Sequence, residues 1–246
     1  MKASQLEFRL RLLIVLVLYL IGFWAPWIWI STGFALPKST AWLALSTQLG
    51  QWPPLGVHGA TLLVTWLAIL CALAGALLRI WGTAYLDPSI VHAGPMQAGT
   101  VIASGPYRYV RNPLYLGSWL LGVSIAILMP PSGALVFLVF LACFYFRLIL
   151  GEEAFLATRI GAPWLEYKQQ VPRLWPSLRP KLPASPAHPR WLASCTAELF
   201  PLGYAGCLAV LAWSYDPRTL VRCLLICFGL SLISRALLPA RPAAAQ

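Results

Sequence analysis

The sequence predicts an all-α protein, a polytopic transmembrane helical bundle of about six spans. Three observations lead there. Of 246 residues 59% are hydrophobic and 10% charged, and the mean hydropathy is +0.73, far from the composition of soluble domains. Apolar runs long enough to cross roughly 30 Å of hydrocarbon as helices occur at 10–30, 59–80, 114–129, 133–150, 197–214 and 219–238. The basic residues are also unevenly placed. If the end carrying Lys2, Arg9 and Arg11 is cytoplasmic, so are the 81–113 and 151–196 segments and the tail with Arg235 and Arg241. Only Lys38, Arg218 and Arg222 of the 18 basic residues then lie on or near the outer side. The expected setting is therefore a multi-pass protein of a bacterial inner membrane or an endomembrane. Its net charge of +11 sets topology beside anionic membrane lipids. No soluble basic domain exists to hold a nucleic acid, so none is expected as a partner.

The first apolar run is long and lacks a small-residue cleavage site, which predicts a retained span rather than a removed signal peptide. It ends in Trp24, Trp27 and Trp29, whose indole rings suit the interface between lipid and water. The outer loop, 31–57, carries Trp42, Leu43, Leu45 and Trp52 and reads as an amphipathic stretch lying on the surface. In the second span Gly75, Gly82 and the neighbouring alanines permit close helix contact. Arg79, near its cytoplasmic edge, either snorkels to the interface or faces a cofactor. Residues 87–106, punctuated by Asp87-Pro88, Gly94-Pro95, Gly99 and Gly105-Pro106, read as loop. The third span is short, and Pro130-Pro131-Ser132-Gly133 turns it straight into the fourth, so the two should form a tight antiparallel hairpin. Segment 151–196 begins helically after Glu152-Glu153 and turns proline-rich. Its stretch 177–190 reads as a linker to a last helical hairpin. Six cysteines occur without a CxxC pair, so neither a zinc site nor a disulfide framework is expected. Cys223 and Cys227, one helical turn apart, read as core packing.

Chemistry concentrates at 105–115, GPYRYVRNPLY, and at Glu152-Glu153. Charged and aromatic side chains between two apolar runs have something to bind. Carboxylates at the end of a span are costly to bury, so the default reading of the pair is functional. Pro113 suits the first turn of a helix, where its missing N–H costs nothing, and Asn112 before it suits a helix cap. Tyr107, Tyr109 and Tyr115 would otherwise be interfacial anchors, and Arg108 and Arg111 topology determinants. Trp164, Glu166, Tyr167, Lys168 and Arg173 follow, with Glu166 and Lys168 reading as an exposed helix face. His58, His92 and His188 show no ligand spacing.

The blocks Gly105, Tyr107, Arg111, Asn112, Pro113 and Tyr115, then Glu152-Glu153, then residues 160–176, resemble the isoprenylcysteine carboxyl methyltransferase and phospholipid methyltransferase superfamily of integral membrane enzymes. The resemblance covers residues 75–178. Asn112 stands where the family usually has His, and Trp164 where Tyr is common. It implies an S-adenosylmethionine-dependent methyltransferase with a cofactor pocket on the cytoplasmic side. With the apolar runs and the proline-rich stretch, the chain then divides into an N-terminal span and outer loop (1–58), a methyltransferase core (59–178), a Pro-rich linker (179–196) and a C-terminal transmembrane hairpin (197–246). Gly99, Thr100, Val101 and Ile102 would line the cofactor with Tyr107, Asn112, Pro113, Leu114, Tyr115 and Glu152. Arg147 is the nearest counterpart of an arginine that contacts the methyl acceptor, one residue further from Glu152 than the pattern has it. Tyr167 and the Val171-Pro172-Arg173 turn would cap the cofactor.

S-adenosylmethionine carries a sulfonium, both amino-acid charges, a ribose diol and an adenine. Arg108 and Arg111 suit its carboxylate, Glu152 or Glu153 its ammonium or ribose hydroxyls, and Tyr107 and Tyr115 its ring or sulfonium. The acceptor would be lipophilic and enter sideways from the bilayer: a carboxylate, a phospholipid amine or a thiol. Two other classes remain at this point. Sterol reductases that use NADPH share a similar motif, but their 2'-phosphate calls for a cluster of basic residues, and 87–104 has no Lys or Arg. A non-catalytic transporter or scaffold is the other. Internal repeats or mid-membrane charges would favour a transporter, and neither is evident in the sequence.

Overall fold

The structure, a computed structural model, describes residues 2–24, 39–86, 103–183 and 188–237. All regular structure among them is helical: α1 (Gln5–Arg9), α2 (Arg11–Trp24), α3 (Ala41–Gly50), α4 (Gly56–Tyr85), a 3-10 turn (Gly105–Arg108), α5 (Pro113–Ala126), α6 (Pro131–Ile160), α7 (Ala162–Gln170), α8 (Trp191–Ala197), α9 (Leu199–Ser214) and α10 (Pro217–Leu237).

Proline and glycine punctuate these helices as their backbones require. Pro113 and Pro131 open α5 and α6 from the first turn, where no N–H is missed. Gly161, at φ +72°, ends α6 in a conformation that would strain any other residue. The expected α5–α6 hairpin forms, with Pro130-Pro131 at its turn and the two helices packed together. Asn112 differs from expectation. Its φ of −123° and ψ of 58° place no side-chain acceptor over the first turn, so α5 starts without a side-chain cap.

By length and composition α4 and α6 can each cross a membrane. At 30 residues each is about 45 Å long, more than the hydrocarbon thickness. The pair α8 and α9, bent by 63° at Glu198, becomes a third crossing if taken as one broken span. Helices α2 and α5, apolar and 14 residues each, fall short of a full crossing within their described lengths. The Trp27 and Trp29 part of the predicted belt lies outside the described residues. As expected of a segment that begins helically after Glu152-Glu153, α6 runs unbroken through the pair to Ile160.

Helix α4 is the central post, flanked by α3, α5, α8 and α9, while α6 carries α2, α5 and α7. Contact between α4 and α5 depends on Gly75 and Gly117. A methyl group on either would stand 2.7–2.8 Å from the other's carbonyl oxygen. At the end of the bundle away from the motif, Ala126, Met129, Phe137 and Leu141 form a core, with the Tyr19 ring 4.7 Å from that of Phe137.

The C-terminal hairpin is bonded into this bundle. Arg79 of α4 donates from Nε and Nη2 to both oxygens of Glu198 at 2.7 and 2.8 Å, and from Nη1 to Ser118 Oγ of α5 at 2.6 Å. Thr83 Oγ1 adds a donor to Glu198 at 3.2 Å, and Ser194 Oγ donates to the Ile80 carbonyl. Arg79 is thus committed to an interhelical ion pair rather than to snorkelling. Glu198 is only 1% exposed. Removing one member of such a pair leaves an uncompensated buried charge, at a cost of about 3–5 kcal/mol. We therefore expect Glu198→Ala to lower the thermal unfolding midpoint in detergent markedly, and Arg79→Met with Glu198→Leu to recover most of the loss. An unchanged midpoint for the single variant would contradict this account.

Candidate active site

The 105–115 motif folds as a 3-10 turn, a short extended piece and the first turn of α5. Gly105 has φ +54°, and a Cβ there would collide with the Tyr85 ring. The turn buries Pro106 and Tyr107 and leaves Arg111 and Tyr115, four residues apart, facing α6.

Adjacent carboxylates on α6 receive them. Successive residues of a helix point about 100° apart, so Glu152 and Glu153 reach different parts of the motif. Tyr115 Oη donates to Glu152 Oε2 at 3.1 Å. Glu153, 4% exposed, faces three cations. Arg173 donates to both its oxygens at 3.0 and 2.8 Å, Arg111 Nη1 lies 3.3 Å away, and Lys168 Nζ lies 4.0 Å away. Glu152 is partly open and has Tyr115 as its hydrogen-bond partner among the described residues. The two carboxylates thus have unlike surroundings: Glu153 is the hub of an ion cluster, and Glu152 keeps accepting capacity toward the site.

Arg111 is the unusual member. Its side chain is 7% exposed, yet Nε and Nη1 have no hydrogen-bond partner among the described residues. Burial pushes its pKa down from the ordinary arginine value while Glu153 pulls it back up. The hydrogen bonds from Arg173 to Glu153 raise the Arg173 pKa. Both guanidiniums therefore stay charged. Burial also drives the Tyr107 hydroxyl well above the usual phenol range, so Tyr107 is a neutral wall and not a base.

A strap, whose part from Ser177 onward reads in the sequence as linker, holds the motif in place. Residues 172–182 run beside 108–112. The N–H of Arg111 donates to the Pro172 carbonyl at 2.9 Å, that of Ser177 to Tyr109 at 3.0 Å, and that of Lys181 to Arg108 at 2.9 Å. Arg108 Nε donates to the Leu182 carbonyl at 2.8 Å, which occupies a guanidinium expected to meet a ligand. Asn112 Nδ2 donates to the Arg173 carbonyl at 3.1 Å, so its amide ties strap to motif where a helix cap was expected. Tyr167 Oη donates to the Tyr107 carbonyl at 2.9 Å, from a cluster that buries Trp164 and Val171. As expected, Glu166 and Lys168 lie on the exposed face of α7.

Pro113 and Leu114 lie in the first turn of α5 beside Gly82, where a Cβ would stand 2.8 Å from the Leu114 side chain. Gly99, Thr100, Val101 and Ile102 lie outside the described residues. Arg147, one turn before Glu152, donates to Glu7 of α1 at 2.8 and 3.0 Å. Neither that pairing nor the one between Arg79 and Glu198 was anticipated. The partners are 140 and 119 residues apart, and only Glu198, a lone acid among apolar residues, hinted at a buried counter-ion. No group of His, Cys, Asp and Glu suited to a metal occurs among the described residues. An apolar cavity lined by Trp42, Thr65, Ile69, Ile127 and Leu208 lies at the other end of α4, remote from this chemistry.

Comparison with known proteins gives one match. Residues 61–162 match the family model described as phospholipid methyltransferase. No curated protein and no solved structure matches the chain.

Proposed function

Because residues 61–162 belong to the phospholipid methyltransferase family, within the isoprenylcysteine carboxyl methyltransferase-like membrane methyltransferases, we propose that this protein transfers a methyl group from S-adenosylmethionine to a lipophilic acceptor that reaches it from the bilayer. The observation that carries the reading is Arg111. Its Nη1 is ion-paired with Glu153 at 3.3 Å, but among the described residues neither Nε nor Nη1 has a hydrogen-bond partner, so the buried guanidinium keeps donors for a second anionic group, and the carboxylate of the methyl donor is such a group. Glu152, within the same site, offers the opposite charge for an ammonium or for ribose hydroxyls. The donor supplies an electrophilic methyl on a sulfonium, and the protein's task is to align an acceptor with it and exclude water.

Each residue then has a definite part. Tyr115 holds the Glu152 carboxylate in one orientation. Glu153 keeps Arg111 charged and clamps the strap through Arg173. Asn112 carries no titratable group, and its Nδ2 is committed to the strap, so it positions and does not move protons. An acceptor arriving as a carboxylate needs no base. For an amine or thiol, Glu152 is the group placed to take the proton. Gly99 to Ile102 would complete the donor site, and Tyr107 would form a wall. We read α2, α4, α5, α6, α9 and α10 as six crossings, with the motif end facing the cytoplasm. The basic residues of 103–113 and 159–190 at that end support this orientation.

The reading is tested by equilibrium binding to the detergent-purified protein. Saturable binding of S-adenosylmethionine, competed by S-adenosylhomocysteine and lost in Arg111→Met, is the expected result. Binding of NADPH with no binding of either adenosyl compound would transfer the site to a reductase.

A further inference from the structure

The N-terminal segment 2–11 precedes the part of the chain that matches the family model, yet it is packed against α6 beside Glu152. Ala3 N–H donates to the Arg147 carbonyl at 3.1 Å. Ala3 also lies over Gly151, where an added Cβ would stand 3.1 Å from the Ala3 carbonyl oxygen and 3.5 Å from its Cβ. Gly151 immediately precedes Glu152, so the chain crosses the helix at the edge of the site. Helix α1 is fixed there by an interlocked set of contacts. Ser4 N–H donates to Glu7 Oε2 at 2.7 Å, Glu7 N–H donates to Ser4 Oγ at 3.2 Å, and the same carboxylate accepts from Arg147. The capping box thus aims Glu7 before the ion pair forms. Phe8, 7% exposed, enters a cluster of Phe144 and Leu148 with Tyr115 and Tyr145 beside it. The Arg11 guanidinium lies 4.5 Å from the centre of the Phe8 ring.

We propose that residues 2–11 form a wall of the methyl-transfer site, and that Arg147 is a positioning residue which holds this wall against α6 through Glu7. The inference rests on the function proposed above. It gives Arg147 a task distinct from touching the acceptor. With the wall seated, the Phe8 cluster beside Tyr115 and the Ala3 contact at Gly151 shield one side of the site; with it lifted, that side opens.

The full-length chain provides the test, in a background with its own cysteines replaced by serine or alanine. The spacing between Ala3 and Gly151 lies within the reach of a disulfide, so Ala3→Cys with Gly151→Cys should crosslink on addition of diamide. Glu7→Gln and Arg147→Gln should each slow that crosslinking. In chains without the added cysteines, each should weaken S-adenosylhomocysteine binding roughly tenfold, the order expected of a lost positioning contact. The charge exchange Glu7→Arg with Arg147→Glu should restore both readouts. Unchanged crosslinking in Arg147→Gln, unchanged affinity where crosslinking is lost, or an exchange that restores neither would overturn the proposal. Failure of the unmodified chain to bind S-adenosylhomocysteine would instead remove the methyltransferase reading, whatever the crosslinking shows.

Discussion

Glu153→Ala is expected to cause the largest loss of stability of any single change at the site, about 3–5 kcal/mol, because it strands a buried Arg111 without its counter-ion. The contributions of Arg173 and Lys168 are smaller. Their side chains are 30% and 41% exposed, so water screens what they lose. The damage spreads through the backbone, because Arg173 anchors the strap that bonds to Arg108, Tyr109, Arg111 and Asn112. Thermal unfolding in detergent measures it. Glu153→Ala should unfold well below the wild type, with Glu153→Gln in between, and both should lose S-adenosylhomocysteine binding along with the fold at the motif. A midpoint within experimental error of wild type would show that Glu153 is not the hub of this cluster.

Glu152→Gln should behave in the opposite way, leaving the fold intact and removing function. The amide oxygen still accepts from Tyr115, so the contact between α5 and α6 survives. The charge facing the site does not. For an amine or thiol acceptor turnover should fall by about 100-fold or more, the range typical of a lost base, and for any acceptor the lost charge should weaken donor binding, while the unfolding midpoint stays near that of the wild type. Glu152→Ala should insert into membranes normally and lose donor affinity. Full affinity in that variant would take Glu152 out of the donor site. The pair of variants therefore separates two neighbouring carboxylates that the sequence presents as equivalent, one structural and one facing ligand.

Much of this was legible in the sequence because it is local. Apolar runs marked the long helices, Pro130-Pro131 marked the α5–α6 turn, and Pro113 marked the start of α5. The motif and the Glu pair could be recognised as one constellation, and the structure does bring Arg111 and Tyr115 to Glu153 and Glu152. What escaped depends on chain segments meeting from far apart. The proline-rich stretch from Ser177 read as linker because proline signals only that no helix continues. A strap pinned by backbone hydrogen bonds has the same composition as a loose one, and the Pro172 carbonyl accepts as well as any other. Arg79 looked like a single charge with an open role and Arg147, by resemblance, like a contact to the methyl acceptor, since nothing in the local pattern names Glu198 or Glu7 as partner.

Transfer of labelled methyl from S-adenosylmethionine into the organic-solvent-extractable fraction, by protein reconstituted in vesicles of total membrane lipid supplemented with amphiphilic carboxylates and thiols, tests the central claim most directly. The account predicts label in that fraction for wild type, suppression by S-adenosylhomocysteine, and background levels for Glu152→Gln at unchanged protein stability. Label that enters the lipid fraction equally with Glu152→Gln, or no transfer by a wild-type chain to any of these acceptors, would contradict it.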